Sequence, residues 1–319
     1  MSISIICPKS KVPLRQTNQG LTNDGTIIYP LRDGAYRIVE DNNYTRNFGI
    51  EWNTFQKTQI DKFNAYPISY HRFFGCTKWE GTLEGENILE VGSGAGRFTQ
   101  VVLDHTLSNL YSVDYSNAVV ANYKNNGPHD RLHLFQASIY DLPFAKHQFD
   151  KVFCFGVLQH TPDVKRSIQS LCEMVKPGGE LVVDFYPIKG WYSKINAKYL
   201  LRPFTKNMEH QKLLGLIKNN IDWLIKLYCF NRKIGLGVLN RFLPICDIDT
   251  TFPKGLENIK EWAILDTFDM FSPTYDNPQR LRTVERWFEE NGMKEVKAEM
   301  IEYDKGLFCA TVRGRNSAL

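Results

Sequence analysis

The chain has 319 residues, of which 43% are hydrophobic and 23% are charged. These fractions are typical of globular proteins and exclude a disordered or fibrous chain. The 39 basic and 35 acidic residues leave a net charge of +4, and this near balance predicts no nucleic-acid partner. No apolar run approaches the roughly 20 residues of a membrane span. The apolar stretch at the amino terminus is too short for a secretory signal.

The cysteines are scattered, odd in number and never spaced as C-x-x-C. This pattern predicts neither a disulfide framework nor a metal site, and it indicates a reducing, cytoplasmic setting. The seven cysteines are Cys7, Cys76, Cys154, Cys172, Cys229, Cys246 and Cys309.

The amino-terminal region divides into two segments. Residues 1–45 contain short apolar runs between the turn signals TNQG, TNDG and LRDG, which predicts a small β-rich module. Residues 46–86 form an aromatic lead-in. There Phe48, Trp52 and Phe55 are spaced i, i+4 and i+7, which predicts one face of a helix.

A regular alternation of strands and helices begins at Asn87. The apolar runs are NILEV, LYSVD, LHLFQA, FDKVFCFG, ELVVDFY, EVKAEMIEY and LFCATVRG. This rhythm predicts a doubly wound α/β fold with seven strands, mostly parallel. The last two strands, joined at Asp304–Gly306, are expected to add an antiparallel edge. Residues 87–190 and 276–319 form the predicted core, and 191–275 a helical insertion.

The segment ILEVGSGAGRFT contains the sharpest signal, Gly92-x-Gly94-x-Gly96 between a strand and a helix. Glycines permit the turn and let a cofactor approach the backbone, and the helix N-terminus offers free N–H groups. A purely structural turn is the alternative. Arg97 occupies the position where a dinucleotide fingerprint requires glycine. Asp114 lies 22 residues after Gly92, where a carboxylate can accept ribose hydroxyls or instead cap a helix.

Four motifs occur in register between Asn87 and about Pro187: E-x-G-x-G-x-G from Glu90, VDYS, DLPFAKHQFDKVFCFGVLQHTPD and VKPGGELVV. Together they resemble the Rossmann-like class I S-adenosylmethionine-dependent methyltransferases, of the methyltransferase domain type 11 or 25. The resemblance implies S-adenosylmethionine as cofactor. The cofactor-binding residues that it implies are Glu90, Gly92, Gly94, Gly96, Asp114, Tyr115, Ser138, Ile139, Phe155 and Gly156. Ser138 stands where the family often has an acidic residue at the adenine.

The same resemblance places His160, in LQHTPD, near the transferred methyl group. Imidazole suits proton removal near neutral pH, so His160 is the candidate catalytic residue, with a structural hydrogen bond as the alternative. Asp141 and Asp150 are interpreted as turn and strand-entry residues.

The insertion would leave the sheet at a strand's carboxyl end and is expected to cover the acceptor. Its candidate lid residues, which could instead pack the insertion's own core, are Trp191, Tyr192, Tyr199, Trp223, Trp262, Lys198, Arg202 and Lys206. The amino-terminal module resembles small zinc-ribbon-like activators of methyltransferases. Because Ser10 replaces the second cysteine of the first metal pair, Cys7 is left alone and no zinc is expected.

The sequence therefore predicts a methyltransferase acting on a small-molecule or sugar-containing acceptor, as in polysaccharide or natural-product biosynthesis. Methylation of a quinone or lipid precursor is an alternative, because the helix around Leu213–Phe230 is rich in Leu and Ile. A non-catalytic partner protein that binds S-adenosylmethionine is another. A nucleotide methyltransferase would be expected to show a stronger basic charge.

Overall fold

The computed structural model describes residues 3–64, 66–188, 190–248 and 256–317. The described residues form one sheet of twelve strands. The strands are β1 (Ile5–Ile6), β2 (Pro13–Gln16), β3 (Gly20–Asn23), β4 (Thr26–Arg32), β5 (Ala35–Arg37), β6 (Asn87–Val91), β7 (Asn109–Asp114), β8 (Leu132–Gln136), β9 (Phe149–Cys154), β10 (Val175–Phe185), β11 (Met293–Asp304) and β12 (Leu307–Asn316).

Nine α-helices surround the sheet in the described part of the chain. They are α1 (Arg46–Thr54), α2 (Ile68–Thr77), α3 (Arg97–His105), α4 (Val119–Asn126), α5 (Val164–Cys172), α6 (Ala197–Thr205), α7 (His210–Lys233), α8 (Leu256–Phe271) and α9 (Leu281–Glu290). Short 3₁₀ turns occur at Asp61–Phe63, Leu158–His160, Trp191–Lys194 and Gly237–Phe242. In the described chain no helix combines the length and apolar character needed to cross a bilayer.

The strand order across the core is β8-β7-β6-β9-β10-β12-β11. The pairs from β8 to β10 are parallel, whereas β12 pairs antiparallel with both β10 and β11. The predicted doubly wound sheet with an antiparallel edge is therefore confirmed. The prediction was a seven-stranded sheet beside a separate β-rich module, whereas in the described residues the sheet continues beyond β8 into the amino-terminal strands.

The amino-terminal strands share the core of the α/β domain and do not form a module with its own core. β5 pairs parallel with β8, with Ala35 opposite Leu134. Leu21 is fully buried in the same apolar cluster as Phe135 and Phe149. The physical reason is that β5 supplies a partner to β8, whose backbone would otherwise be an open edge.

Both faces of the sheet are covered, which explains the continuous apolar runs of its strands. Adjacent residues of β10 belong to different apolar clusters, since Leu181 packs with Phe149 and Val182 packs with Phe153 on the other side. This alternation follows from the two-residue period of a strand.

The insertion has its own apolar cluster. α7 packs on α8, with Ile221, Leu224 and Phe268 all buried. Phe55, just past α1, joins this cluster, so the lead-in and the insertion meet. The predicted insertion includes residues 249–255, which lie outside the described chain.

Candidate functional site

A cavity of about 630 Å³ lies where β6, β7 and β9 end, bounded also by α1, α2 and α8. The strand order reverses between β6 and β9, and ligands of doubly wound sheets bind at this kind of switch point. The volume is that of a typical small-molecule site.

The glycine loop after β6 adopts the conformation that the sequence predicted. Gly92, Gly94 and Gly96 have φ of 87°, 52° and 86°, which disfavours residues with a Cβ. The loop is also packed against the protein itself. A Cβ on Gly92 would lie 2.1 Å from Val157 Cγ2, and one on Gly96 would lie 2.2 Å from Asn122 Oδ1. Gly92 and Gly94 line the cavity, whereas Gly96 contacts α4.

Two acidic residues predicted at this loop have different surroundings. Asp114 lines the cavity, and its carboxylate accepts hydrogen bonds from Gly94 N–H (2.8 Å) and Ser116 N–H (2.8 Å). Glu90 is buried beneath the loop and accepts from the hydroxyls of Thr99 and Ser112. Burial raises the pKa of Glu90 to about 7, although those hydroxyls oppose the rise. Asp114 can thus contact a ligand, whereas Glu90 is hydrogen-bonded to α3 and β7 beneath the loop.

Most of the remaining predicted cofactor residues line the cavity, but one does not. Tyr115, Ile139, Phe155 and Gly156 all line the cavity. Ser138 is not among the lining residues, and its hydroxyl accepts a hydrogen bond from the Tyr140 N–H (3.2 Å). A role for Ser138 at the adenine stays a prediction.

His160 lines the cavity and is buried. Its Nδ1 lies 3.2 Å from the Tyr275 carbonyl oxygen, which can only accept, so Nδ1 carries the proton and Nε2 is bare in the neutral ring. Nε2 lies 3.7 Å from Asp269 Oδ1. Burial lowers the pKa of His160, although the Asp269 carboxylate opposes this effect. The ring is therefore neutral at pH 7 and can accept a proton.

The cavity also holds a group of carboxyls that the sequence did not predict, one of which, Asp269, lies beside His160. Glu51 of α1 and Asp266 and Asp269 of α8 all line the cavity. Asp269 Oδ2 accepts a hydrogen bond from the Tyr186 hydroxyl (2.9 Å). The sequence does contain a signal for Glu51. It is an acidic residue on the apolar helix face of Phe48 and Trp52, where a buried carboxyl is unusual.

Glu51 is fully buried, and no N–H or O–H group of the described residues donates to either carboxylate oxygen. Burial and the nearby Asp269 and Asp266 carboxylates raise the pKa of Glu51 well above its usual range. Buried carboxyls without donors are costly. A ligand that donates hydrogen bonds here would offset this cost.

Two arginines line the same cavity. Arg72 donates to Asp184 through Nε (3.0 Å) and Nη2 (2.5 Å). Arg97 donates to Ser69 Oγ (2.8 Å) and Gln59 Oε1 (3.0 Å), and these contacts hold its side chain against the elements that precede β6. Arg97, which stands where a dinucleotide fingerprint requires glycine, thus has its side chain hydrogen-bonded to residues outside the glycine loop.

The residues around the cavity suit an adenosyl cofactor. Asp114 presents a carboxylate at the end of β7, where ribose hydroxyls would be bound. A Cβ on Gly156 would lie no closer than 3.9 Å to any atom outside its chain neighbours, so Gly156 leaves open space in the cavity lining. The glycine loop, Asp114 and Gly156 together would hold the ligand that the sequence predicted.

The predicted lid residues have separate positions. Lys198 and Trp262 line the cavity, and Lys198 forms an ion pair with Asp276 (2.7 Å). Trp223 is half exposed and packs neither in the cavity nor in the insertion core. The other lid candidates outside the cavity lining are Tyr192, Tyr199, Arg202 and Lys206. The side chain of Trp191 lies outside the described residues.

Cys7, the single cysteine of the predicted metal-free module, is buried. Burial opposes a fall in its pKa, but hydrogen bonds from Ser10 and Tyr29 lower the pKa of this thiol to about 7. Its sulfur lies 3.3 Å from the Tyr29 hydroxyl. The Cys7 thiol thus has its hydrogen-bond partners within the protein.

Residues 89–183 match the methyltransferase domain family. The tRNA U34 carboxymethyltransferase of Pseudoalteromonas atlantica is 30% identical over 122 residues, which are 35% of this chain and 38% of that protein. The ubiquinone biosynthesis O-methyltransferase of Coxiella burnetii is 31% identical over 102 residues, 31% of this chain and 43% of that protein. The chain thus spans less than half the length of these relatives.

Among solved structures, the complex of the Haloferax volcanii Trm112 methyltransferase activator with a methyltransferase contains a chain of similar fold. The TM-score is 0.51 at 12% identity, with 88% of this chain and 99% of that chain covered. Residues 89–183 therefore form a domain of the methyltransferase domain family.

Proposed function

We propose that the protein transfers a methyl group from S-adenosylmethionine to a polar small-molecule or sugar-containing acceptor, of the kind used in polysaccharide or natural-product biosynthesis. The observation that carries the proposal is that one cavity holds both Asp114 with the glycine loop and the His160–Asp269 pair. Cofactor binding and proton removal thus have candidate residues within a single site.

When bound, the cofactor supplies a methyl group on a sulfonium, which is already a good leaving group. The chain's own task is then mainly positioning, a contribution of up to about 7–11 kcal/mol. His160 Nε2 accepts the proton from an acceptor hydroxyl, and the Asp269 carboxylate stabilises the resulting imidazolium. The Tyr186 hydroxyl holds Asp269 in place through its hydrogen bond.

The charges around the cavity favour an acceptor that donates hydrogen bonds and disfavour a polyanion. Three basic side chains line it, and two of these are already paired with carboxylates. The carboxylates that line the cavity are Glu51, Asp114, Asp247, Asp266 and Asp269. Acceptor hydroxyls or amines would supply the donors that Glu51 lacks, whereas phosphates would be repelled.

Methylation of a quinone or lipid precursor is a second candidate. The ubiquinone biosynthesis relative supports it. The large apolar side chains exposed on α7, including Trp223 and Phe230, lie outside the cavity lining.

Two measurements test the proposal. Calorimetry should show that S-adenosylmethionine binds the wild type and binds Asp114→Ala at least tenfold more weakly, with the exposed Asp130→Ala as matched control. Mass spectrometry should then follow labelled methyl transfer into a metabolite extract. Cofactor binding without any methylated product would instead favour a non-catalytic partner protein, and absence of binding would overturn the proposal.

A further inference from the structure

Exposed apolar side chains are concentrated in one stretch of the insertion. Of the 20 large apolar side chains that are exposed among the described residues, 13 lie within residues 192–242. Scattered single cases are normal on protein surfaces, but a cluster indicates an interaction site. The most exposed are Leu200 (61%), Phe204 (74%) and Val238 (73%).

The same stretch is strongly basic. It contains ten Lys and Arg against two Asp and Glu, a net charge of +8, whereas the whole chain carries +4. The rest of the protein is therefore net acidic. We name this stretch, residues 192–242, the basic face.

Exposed apolar side chains and basic side chains occur together on the outer side of α7. Leu216, Trp223 and Phe230 are spaced seven residues apart and are exposed, so they form one stripe along the helix. Lys226 and Lys233 are also exposed and lie beside this stripe at helical spacing. The opposite side of α7 is buried against α8. An apolar stripe flanked by lysines is the pattern of helices that lie in a membrane interface.

Hydrogen bonds fix the positions of several elements of the basic face relative to one another. The Arg241 guanidinium donates to the carbonyls of Tyr192 and Ile195. Asn231 near the end of α7 donates to Asn240 Oδ1 (2.8 Å). The exposed residues of α7, of the 3₁₀ turn Gly237–Phe242 and of the segment before α6 are thus held in fixed relation.

We propose that the basic face docks the protein on an anionic lipid bilayer, with its exposed apolar side chains in the interface and its exposed lysines and arginines at the headgroups. An RNA partner would use the positive charge but would leave aliphatic residues such as Leu200 and Val238 in water. A second copy of the chain would bring two basic surfaces together. An anionic lipid surface accommodates both the exposed apolar side chains and the positive charge.

The proposal does not depend on the methyltransferase activity, but it bears on where that activity would occur. Lys198 at the start of α6 belongs to the basic face and also lines the cavity. Docking would therefore involve a stretch of chain that also contributes one residue to the cavity lining.

Flotation of the full chain with extruded vesicles tests the proposal. Binding is expected to vesicles of phosphatidylcholine with one quarter phosphatidylglycerol, to be weaker on pure phosphatidylcholine, and to fall with salt. Replacing Lys212, Lys226 and Lys233 by Gln should weaken binding about 100-fold, since each charge near an anionic surface contributes about a factor of five. Phe230→Ser should also weaken it, whereas Phe308→Ser, similarly exposed on β12, should not.

All five substituted residues are exposed, and unchanged circular dichroism would show that the variants fold. Equal flotation of wild type and the triple Gln variant would overturn the proposal. So would tight binding of a single-stranded RNA oligonucleotide in place of vesicles, or ultracentrifugation showing a dimer that Phe230→Ser dissociates while vesicles do not bind.

Discussion

His160 Nε2 lies 3.7 Å from Asp269 Oδ1, and the Tyr186 hydroxyl donates to the other oxygen of the same carboxylate. The three residues come from the turn after β9, the helix α8 and the end of β10. Their arrangement gives a neutral imidazole a carboxylate that can stabilise its protonated form. This is the arrangement expected of a general base that is positioned by a second group.

His160→Gln is expected to lower kcat by about 100-fold or more, since general base catalysis typically contributes 10²–10⁴. Cofactor affinity should change little, because Asp114 and the glycine loop are untouched. The exposed His129→Gln is the control. Steady-state kinetics together with calorimetry would check this, and unchanged kcat would assign His160 a structural role.

Asp269→Asn should shift the pH profile of kcat/KM. The Asp269 carboxylate raises the pKa of His160 against the effect of burial, so its neutralisation should lower that pKa further. The acidic limb of the profile should therefore move to lower pH. A reduced rate with no movement of the limb would mean that Asp269 does not act through His160.

Glu90 should make the free energy of unfolding depend on pH. Its pKa is raised from 4.5 to about 7 in the folded protein, so the folded state holds a proton that the unfolded chain releases. The free energy of unfolding therefore falls as pH rises through this window, by up to about 3 kcal/mol.

Glu90→Gln removes this dependence. Urea titrations at pH values on both sides of the window should show that the free energy of unfolding of the variant increases relative to that of the wild type as pH rises. The exposed Glu84→Gln should run parallel to the wild type. A constant difference between wild type and Glu90→Gln would show that Glu90 keeps an ordinary pKa.

The Arg72–Asp184 pair should be costly to break. Asp184 is 1% exposed and Arg72 donates two hydrogen bonds to it. Arg72→Met leaves a buried carboxylate without its cation, which is expected to cost about 3–5 kcal/mol. The exposed pair of Arg286 and Glu290 is the matched control, where Arg286→Met should cost about 0–1 kcal/mol. Equal effects in chemical denaturation would contradict the role assigned to burial.

Leu21→Ala tests whether the amino-terminal strands unfold with the rest of the chain. Leu21 is fully buried in the cluster that contains Phe135, so its truncation should cost about 2–5 kcal/mol. Fluorescence and circular dichroism should show one coincident transition at lower denaturant. Ile28→Ala, at a 40% exposed position, should have little effect. A separate early transition would indicate an independent module.

Much of the α/β core could be predicted from the sequence because its signals are local. Strand and helix periodicity is read within a dozen residues, and Gly92 and Gly94 mark a turn whose positive φ glycine adopts without steric cost. Asp114 could be placed because a parallel strand's carboxyl end lies at the same edge as the loop. These inferences needed no knowledge of distant contacts.

Other features depended on residues far apart in the chain. The amino-terminal strands joined the main sheet because β8 had an edge to pair, and the turn pattern of residues 1–45 contains no information about that edge. Glu51, Asp266 and Asp269 meet only because α1 packs near α8.

The sequence alone thus determined the class of the domain and the turn of its glycine loop, because turn chemistry and apolar periodicity act over short stretches of chain. The tertiary structure decided which acidic groups face His160 and where the exposed apolar residues of the insertion collect. Burial and electrostatic interactions depend on distance in space, and residues far apart in sequence become neighbours only once the chain is folded.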